Sequence, residues 1–352
     1  MPHPAAEIEV IAPNLKRRLS GVTATVFGLV PIQAREIAIA ATGPEIPPEI
    51  PQIRLSALLT MPRAGPSGPR VWHARRNTEM IAGLALKYLA GKRLKLLFTT
   101  ASQRHHTWLT RALIARMDRV VAVSARSAAY LERDARVILH GIDTARFLPE
   151  ADKPALRARL GLPENAVLIG CYGRVRAQKG TGDFVEAMAE VLPRNPGAEA
   201  VVMGGSPPKQ RAYREELSAR IAQIGVADRI HLRPEVPVAA MPDWYAALDL
   251  FVAPQRWEGF GLTVLEAMGA GVPVVATRVG AFEETVLDGK TGRLVPPENV
   301  AAIAEATEGL LNKPSALGEM AQAARAHVAQ HFSIEREARE LIEVYREMLS
   351  SG

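Results

Sequence analysis

DLFVAPQRWEGFGLTVLEAMGAGVPVVATR occupies residues 249–278. It opens on an apolar run, DLFVAP (249–254), and closes on a second, PVVATR (273–278). Between them a helix is expected to begin near Gly261 or Leu262. A strand, a helix and a strand in this order make a parallel pair that needs cover on both faces. Glu258 and Glu266 stand eight positions apart in otherwise uncharged surroundings. An unpaired carboxylate is costly to withdraw from water, so both call for a partner or a ligand.

The same alternation extends along the chain. Expected strands in the first half are IEVIA (8–12), EIAIAA (36–41), VWHA (71–74), LKLLFTT (94–100), RVVAVS (119–124) and ARVILH (135–140). The second half supplies AVLIGCYG (166–173), AEAVVMGG (198–205), RIHLRP (229–234), DLFVAP, PVVATR and GRLVP (292–296). The fold class read from this pattern is α/β, with two doubly wound, Rossmann-like domains facing across a cleft. The break falls near 146–164, where RFLPEADKPALRARLGLPE is rich in proline and charge. The prolines and glycines of 43–70 mark the least regular segment. In such sheets ligands lie beyond the carboxyl ends of the strands.

The 352 residues suit two domains at roughly one per 150 residues. The start, MPHPAAEIEV, lacks the basic head and apolar run of a signal peptide. No apolar stretch reaches the length of a transmembrane helix. Cys171 is the single cysteine and lies in an apolar run, so it reads as core. A cytoplasmic protein is expected. Residues 1–150 carry 21 basic and 11 acidic side chains, a balance of +10, and the remainder balances at −4. NLKRRLSG (14–21) and AGKRLK (90–95) belong to the basic half, which suits an anionic substrate or an anionic membrane. A solvated basic face with no partner is the plainer alternative. Nucleic acid fits poorly, because aromatic residues make up only 5% and do not interleave with the basic ones. None of the eight histidines has metal-binding spacing, so no metal or cofactor is expected.

GRVRAQKG (173–180) follows a strand and opens onto a helix. Arg174 and Lys179 beside a helix N-terminus suit a diphosphate, although surface cations are common. The loop is neither GxxxxGK[ST] nor GxGxxG. After DLFVAP, Gly259 and Gly261 leave room for a ligand to reach the backbone. A nucleotide sugar laid on this helix end would meet Glu258 with its sugar and Glu266, about 7 Å into the helix, with its ribose diol. Alternatively, Glu266 caps the helix or pairs with an arginine.

EGFGLTVLE fits the E-x7-E pattern of glycosyltransferase family 4, retaining enzymes of the two-domain GT-B fold. GRVRAQKG matches that family's arginine–lysine phosphate loop, and HGIDTARF (140–147) resembles its turn at the end of the first domain. WHARRN (72–77) and residues 244–284 resemble the alphaproteobacterial mannosyltransferases of the lipopolysaccharide inner core. Those transfer mannose from GDP-mannose to a Kdo sugar on a lipid-linked acceptor. The resemblance implies an acceptor-binding domain at 1–148 and a nucleotide-sugar domain at 149–332. A C-terminal helix at 333–352 would return to the first domain.

The resemblance also implies roles. Arg174 and Lys179 hold the donor diphosphate, with Gly173 in the same loop. Gly205, Glu235 and Val236 lie on the side of the base. Glu258 contacts the transferred sugar, Gly259, Phe260, Gly261 and Leu262 give backbone contacts, and Glu266 binds the ribose. Gly21 belongs to the acceptor loop, with only SG at 20–21 where many members have two glycines. RPEV (233–236) lacks a glycine often seen near there. ASQRHHTW (101–108) supplies His106 as the catalytic histidine and His105 beside the acceptor. His73 and Arg75 are further acceptor-side candidates. A structural role is the alternative for each histidine.

The implied chemistry is glycosyl transfer with retention. The cations and a helix N-terminus stabilise the leaving diphosphate, and the acceptor attacks from the same face. Peripheral attachment to the inner membrane through residues 14–18, 90–95 or nearby basic residues is expected. The rivals are an epimerase or another nucleotide-sugar enzyme of this fold, and a non-catalytic nucleotide- or glycan-binding protein. Oligomeric state has no signature in the sequence.

Overall fold

The structure is a computed structural model that describes residues 4–17, 21–206 and 208–351. Two compact units divide the chain. One runs to Gly141 and resumes at Ile334, and the other spans Ile142–Ser333.

The first unit holds β1 (Val10–Pro13), β2 (Ile39–Thr42), β3 (Arg70–Ala74), β4 (Leu94–Thr100), β5 (Arg119–Ala122) and β6 (Arg136–Val137). They form one sheet in the order β2-β1-β3-β4-β5-β6, parallel throughout. The second unit holds β7 (Val167–Tyr172), β8 (Ala198–Met203), β9 (Ile230–Arg233), β10 (Leu250–Ala253), β11 (Val274–Thr277) and β12 (Gly292–Val295). Their order is β12-β11-β10-β7-β8-β9, again all parallel. Each expected strand therefore appears, and the α/β class is borne out. β10 and β11 are buried along their whole length, as helices on both faces require. Cys171 lies inside β7, where burial pushes its thiol up to about 12.

The strand orders locate the ligand-binding ends. In each sheet the winding reverses beside the first strand, between β1 and β3 and between β7 and β10. At such a point the flanking loops part and leave a crevice at the carboxyl edge. The motifs at Gly21, WHARRN, GRVRAQKG and QRWEGFG follow β1, β3, β7 and β10, beside these two crevices, whereas ASQRHHTW follows β4, Gly205 follows β8 and Glu235 follows β9.

The unit boundary differs from the expected 148/149. HGIDTARF straddles the division after Gly141. The Ile142 N–H bonds to the Phe332 carbonyl at 2.9 Å, and Phe147 packs edge-on against Tyr245. These contacts tie the end of the motif to the second unit. The final helix, Ile334–Ser350, belongs to the first unit. It buries Ala338, Leu341, Ile342, Tyr345 and Met348 in a core shared with the helix Gly21–Gln33. Glu337 accepts bonds from His140 Nδ1 (2.7 Å) and the Gly141 N–H (2.8 Å). The irregular segment 43–70 contains the short helix Ala57–Thr60. Among the described residues no helix is long and apolar enough to cross a membrane.

Candidate active site

The crevice of the second unit is built from two loops zipped edge to edge. The loop after β7 makes a turn at Ala177–Lys179 and enters the helix Thr181–Arg194 through Gly180. Gly180 has φ +67°, and a β-carbon there would lie 1.8 Å from the Pro254 carbonyl oxygen. Only glycine allows the two backbones to come this close. The Arg256 N–H then donates to the Gln178 carbonyl (3.0 Å), and Gln178 Nε2 donates to the Trp257 carbonyl (3.2 Å). Arg256 also forks onto Asp183, at 2.9 and 2.6 Å, in the first turn of the helix. That bidentate pair fixes the second loop against the first.

The consequence is an ion pair that the sequence did not announce. Lys179 Nζ donates to Glu258 Oε2, joining the expected phosphate cation to the expected sugar carboxylate. Their side chains are only 18% and 15% exposed. Glu258 Oε1 accepts the Gly259 N–H at 2.9 Å, so both carboxylate oxygens are held. Arg174 is partly buried in the same loop, which begins at Gly173.

The helix Leu262–Gly269 starts at Gly261, whose φ of +98° turns the loop into the helix. A β-carbon at Gly261 would run into the Phe282 ring at 2.1 Å. Phe260 is buried and Leu262 partly buried beside it. One turn on, Glu266 Oε2 accepts the Tyr245 hydroxyl at 2.9 Å. Tyr245 is wholly buried among Phe147, Tyr172 and Phe251. Burial pushes the Glu266 carboxyl above its ordinary range, and the Tyr245 bond and the more distant Arg146 charge oppose that rise. A tyrosine, then, is its hydrogen-bond partner here, and the alternative of an arginine pair loses its footing. Part of Glu266 still reaches solvent, which leaves it able to meet a ligand.

Gly205 and Glu235 are also neighbours. A β-carbon at Gly205 would come within 2.1 Å of Glu235 Oε2. Glu235 is exposed and Val236 partly buried in the loop after β9. Several buried polar atoms around these loops have no protein partner: Thr263 Oγ1 in the first helical turn, Ser206 Oγ after β8 and Gln255 Oε1 after β10. Buried polar atoms are nearly always satisfied, so an oxygen-rich ligand suits this edge. The Gly182 N–H, at the start of the other helix, is taken by the Tyr213 hydroxyl at 3.0 Å. Sequence reasoning missed Asp183, Arg256, Tyr245, Ser206 and Thr263. Only Arg256 had a local signal, as an unexplained cation next to the Glu258 motif.

The first unit has its own network at the β1/β3 crevice. Arg76 donates to Asn14 Oδ1 (2.8 Å), Glu79 Oε1 (2.7 Å) and Thr23 Oγ1 (3.1 Å). Glu79 is wholly buried and also accepts the Arg75 N–H at 2.8 Å. Gly21 begins the helix Gly21–Gln33 and is exposed; Arg18 and Ser20 lie outside the described residues. Arg75 is partly buried beside this network.

The three candidate histidines separate clearly. His73 does not face an acceptor. It is fully buried, with Nδ1 on the Tyr345 hydroxyl (2.7 Å) and Nε2 on Thr99 Oγ1 (2.6 Å). Burial, and then the Arg75 charge, hold it well below its ordinary pKa. It therefore joins the sheet to the final helix, and the acceptor-side assignment is corrected. The sequence misled because a histidine at the end of a strand looks the same from either side of the sheet. His105 is exposed and stacks edge-on against Tyr130. His106 is partly buried, its Nε2 has no protein partner, and burial lowers its pKa, with Arg104 adding to the effect. Of the three, His106 is the one with a buried ring nitrogen that lacks a protein partner.

Residues 152–327 match the glycosyl transferases group 1 family. The chain is 46% identical over 347 residues to the lipopolysaccharide core biosynthesis mannosyltransferase LpsB of Rhizobium meliloti (strain 1021). That alignment covers 97% of this chain and 98% of the relative. It is 44% identical to the mannosyltransferase LpcC of Rhizobium leguminosarum bv. viciae, over 98% of each chain. Among solved structures, Anabaena Alr3699/HepE in complex with UDP and glucose superposes with a TM-score of 0.83. Identity there is 19%, with 97% of this chain and 100% of that chain covered, so the likeness speaks for the fold alone.

Proposed function

This chain belongs to the group 1 glycosyl transferases and has their GT-B fold, and from that premise we propose that it moves mannose from GDP-mannose onto a Kdo sugar of a lipopolysaccharide core acceptor, with retention. The full-length likeness to two lipopolysaccharide core mannosyltransferases supports the substrate class. The observation that carries the mechanism is the Lys179–Glu258 pair at the β7/β10 crevice.

In this structure the two charges neutralise each other. A donor diphosphate competes for Lys179, and Glu258, once released, turns to the sugar hydroxyls. Binding thus exchanges one ion pair for two ligand contacts. Lys179 and Arg174 then stabilise the charge that develops on the leaving diphosphate, and the first turn at Leu262 offers backbone N–H groups. Glu266 receives the ribose diol, already oriented by Tyr245. The sugar C1–O bond breaks as the acceptor oxygen bonds to C1 from the same face. The acceptor proton passes to the departing phosphate oxygen, so no protein nucleophile is required. Glu258 stabilises the positive sugar, and His106 contacts the acceptor or the transferred sugar.

An anionic Kdo-bearing lipid at an anionic leaflet gives the +10 balance of residues 1–150 a purpose. Work at the cytoplasmic face of the inner membrane, with peripheral attachment, belongs to the same reading. Thermal-shift measurements with GDP-, UDP- and ADP-sugars, followed by transfer to a Kdo-containing acceptor, test it. GDP-mannose should stabilise most and should yield an α-mannoside. Preference for another nucleotide overturns the donor, an inverted linkage overturns retention, and epimerised or phosphorolysed sugar overturns transfer.

A further inference from the structure

The turn at the end of HGIDTARF (140–147) lies in the second unit and takes no part in the proposed transfer. Asp143 Oδ1 accepts the Ala145 N–H (3.0 Å) and the Arg146 N–H (3.1 Å), which closes the turn. Phe147 is buried edge-on against Tyr245, the residue that orients Glu266. Arg325 clamps the turn to the helix Leu262–Gly269. Its Nη2 donates to the Thr144 carbonyl at 2.9 Å, and its Nη1 to the carbonyls of Phe147 and Gly269 at 3.0 Å each. Gly269 is the last residue of the helix that carries Glu266, so the turn is fixed to that helix end.

The helix then sets an order. In the proposed complex the diphosphate meets its first turn at Leu262, and the ribose meets Glu266 one turn on. Residues 143–147 are held at Gly269, about 4.5 Å further along the axis. A nucleotide joins phosphate, ribose and base in that sequence, so its base falls beside the turn.

Arg146 is the charge presented there. It is exposed, and its Nη2 donates to the Val238 carbonyl at 3.2 Å, in the loop after β9. Its charge also reaches Glu266. Among the described residues no carboxylate lies within ion-pair distance of it. A guanidinium carries five N–H donors in a planar fork. Whichever Nη2 hydrogen Val238 takes, one parallel pair of N–H groups remains. Such a pair matches two adjacent acceptors in one plane. Of guanine, adenine and uracil, only guanine offers them, as O6 and N7. Adenine sets an amino group beside N7, and uracil has an N–H between its two carbonyls.

We infer that Arg146 selects guanine by donating two hydrogen bonds to O6 and N7 of the donor's base. This rests on the GDP-sugar reading and adds to it the residue that enforces the choice.

Titration calorimetry of the full chain with GDP, 7-deaza-GDP, ADP and UDP tests it, on wild type, Arg146→Ala and Arg146→Lys. Wild type should bind GDP about tenfold more tightly than 7-deaza-GDP, which lacks the N7 acceptor. Arg146→Ala should weaken GDP by about 10- to 100-fold and bind GDP and 7-deaza-GDP alike. Its affinities for ADP and UDP should stay within about twofold of wild type. Arg146→Lys keeps the charge and loses the fork, so it should behave as the alanine variant does. The Arg146 side chain is exposed and bonds to a single carbonyl, so unfolding midpoints should stay at the wild-type value. Equal losses for GDP, ADP and UDP would overturn the inference, because Arg146 would then stack on any base or attract the diphosphate. Restoration of the GDP preference by lysine, or GDP binding that ignores both substitutions, would overturn it as well. The donor reading is judged separately, on wild type alone: tighter binding of UDP or ADP than of GDP overturns that reading, and the role of Arg146 with it.

Discussion

Glu258→Gln should tighten the binding of free GDP while crippling transfer. The substitution keeps the shape of the side chain and removes the charge that occupies Lys179. A hydrogen bond to a charged group is worth about 1.5–3 kcal/mol, and a diphosphate must outcompete this one before it has the full lysine. The pair is largely but not wholly shielded, at 18% and 15% exposure, and the amide oxygen of glutamine restores part of the bond. About 1–1.5 kcal/mol of competition should therefore vanish, which is roughly a fivefold to tenfold gain in affinity. GDP-mannose should gain less, because the variant also loses the contact with the sugar. Turnover should fall by about 10²–10³, the usual effect of removing one electrostatic stabiliser from a reacting centre. Isothermal titration with GDP and with GDP-mannose, beside steady-state transfer, gives all three quantities. Weaker GDP binding in the variant would refute competition for Lys179. Unchanged turnover would refute a role for Glu258 in the reaction.

Further predictions concern the scaffold and the other site groups. Gly180→Ala must place a side chain at φ +67° and 1.8 Å from the Pro254 carbonyl. Left-handed strain of about 1–2 kcal/mol plus the overlap should lower the unfolding midpoint by about 5–15 °C and abolish donor binding. If donor affinity survives, the contact between the loops is not what forms the site. Glu266 has a folded-state pKa above its ordinary 4.5, so its contribution to stability is present at low pH and is lost as pH climbs through the raised value. Glu266→Gln should flatten that fall in a pH series of unfolding midpoints and should cost nucleotide affinity above it; a profile identical to wild type removes the assignment. His73→Ala should cost about 2–4 kcal/mol by orphaning Tyr345 and Thr99 in the core, read by denaturant unfolding. His106→Ala should leave stability and GDP affinity near wild type and lower kcat, and an unaltered kcat would exclude it from the reaction.

Much of the fold was legible because parallel strands buried on both faces must be continuous apolar runs. LKLLFTT and AVLIGCYG could hardly be anything else, and the residues after them were natural site candidates. Arg174, Lys179, Glu258 and Glu266 were found in the same way, as charges with no local reason to be where they are. Partnership was another matter. Lys179 and Glu258 are 79 positions apart and share no local pattern. Tyr245 reads as one more aromatic of a buried helix until its hydroxyl meets Glu266. His73 and His106 are alike as letters, each following or ending a strand, and only their surroundings tell the strut bonded at both nitrogens from the ring whose Nε2 has no protein partner.

The linear chain by itself determined the α/β class, the twelve strands and the position of two charged loops after strands, because periodicity and turn residues act over a few neighbours. Only the tertiary structure decided which charges are spent on each other and which histidine is inside. Those outcomes depend on strand order and crossing backbones, which bring distant residues within 3 Å of one another without leaving a mark on the residues between them.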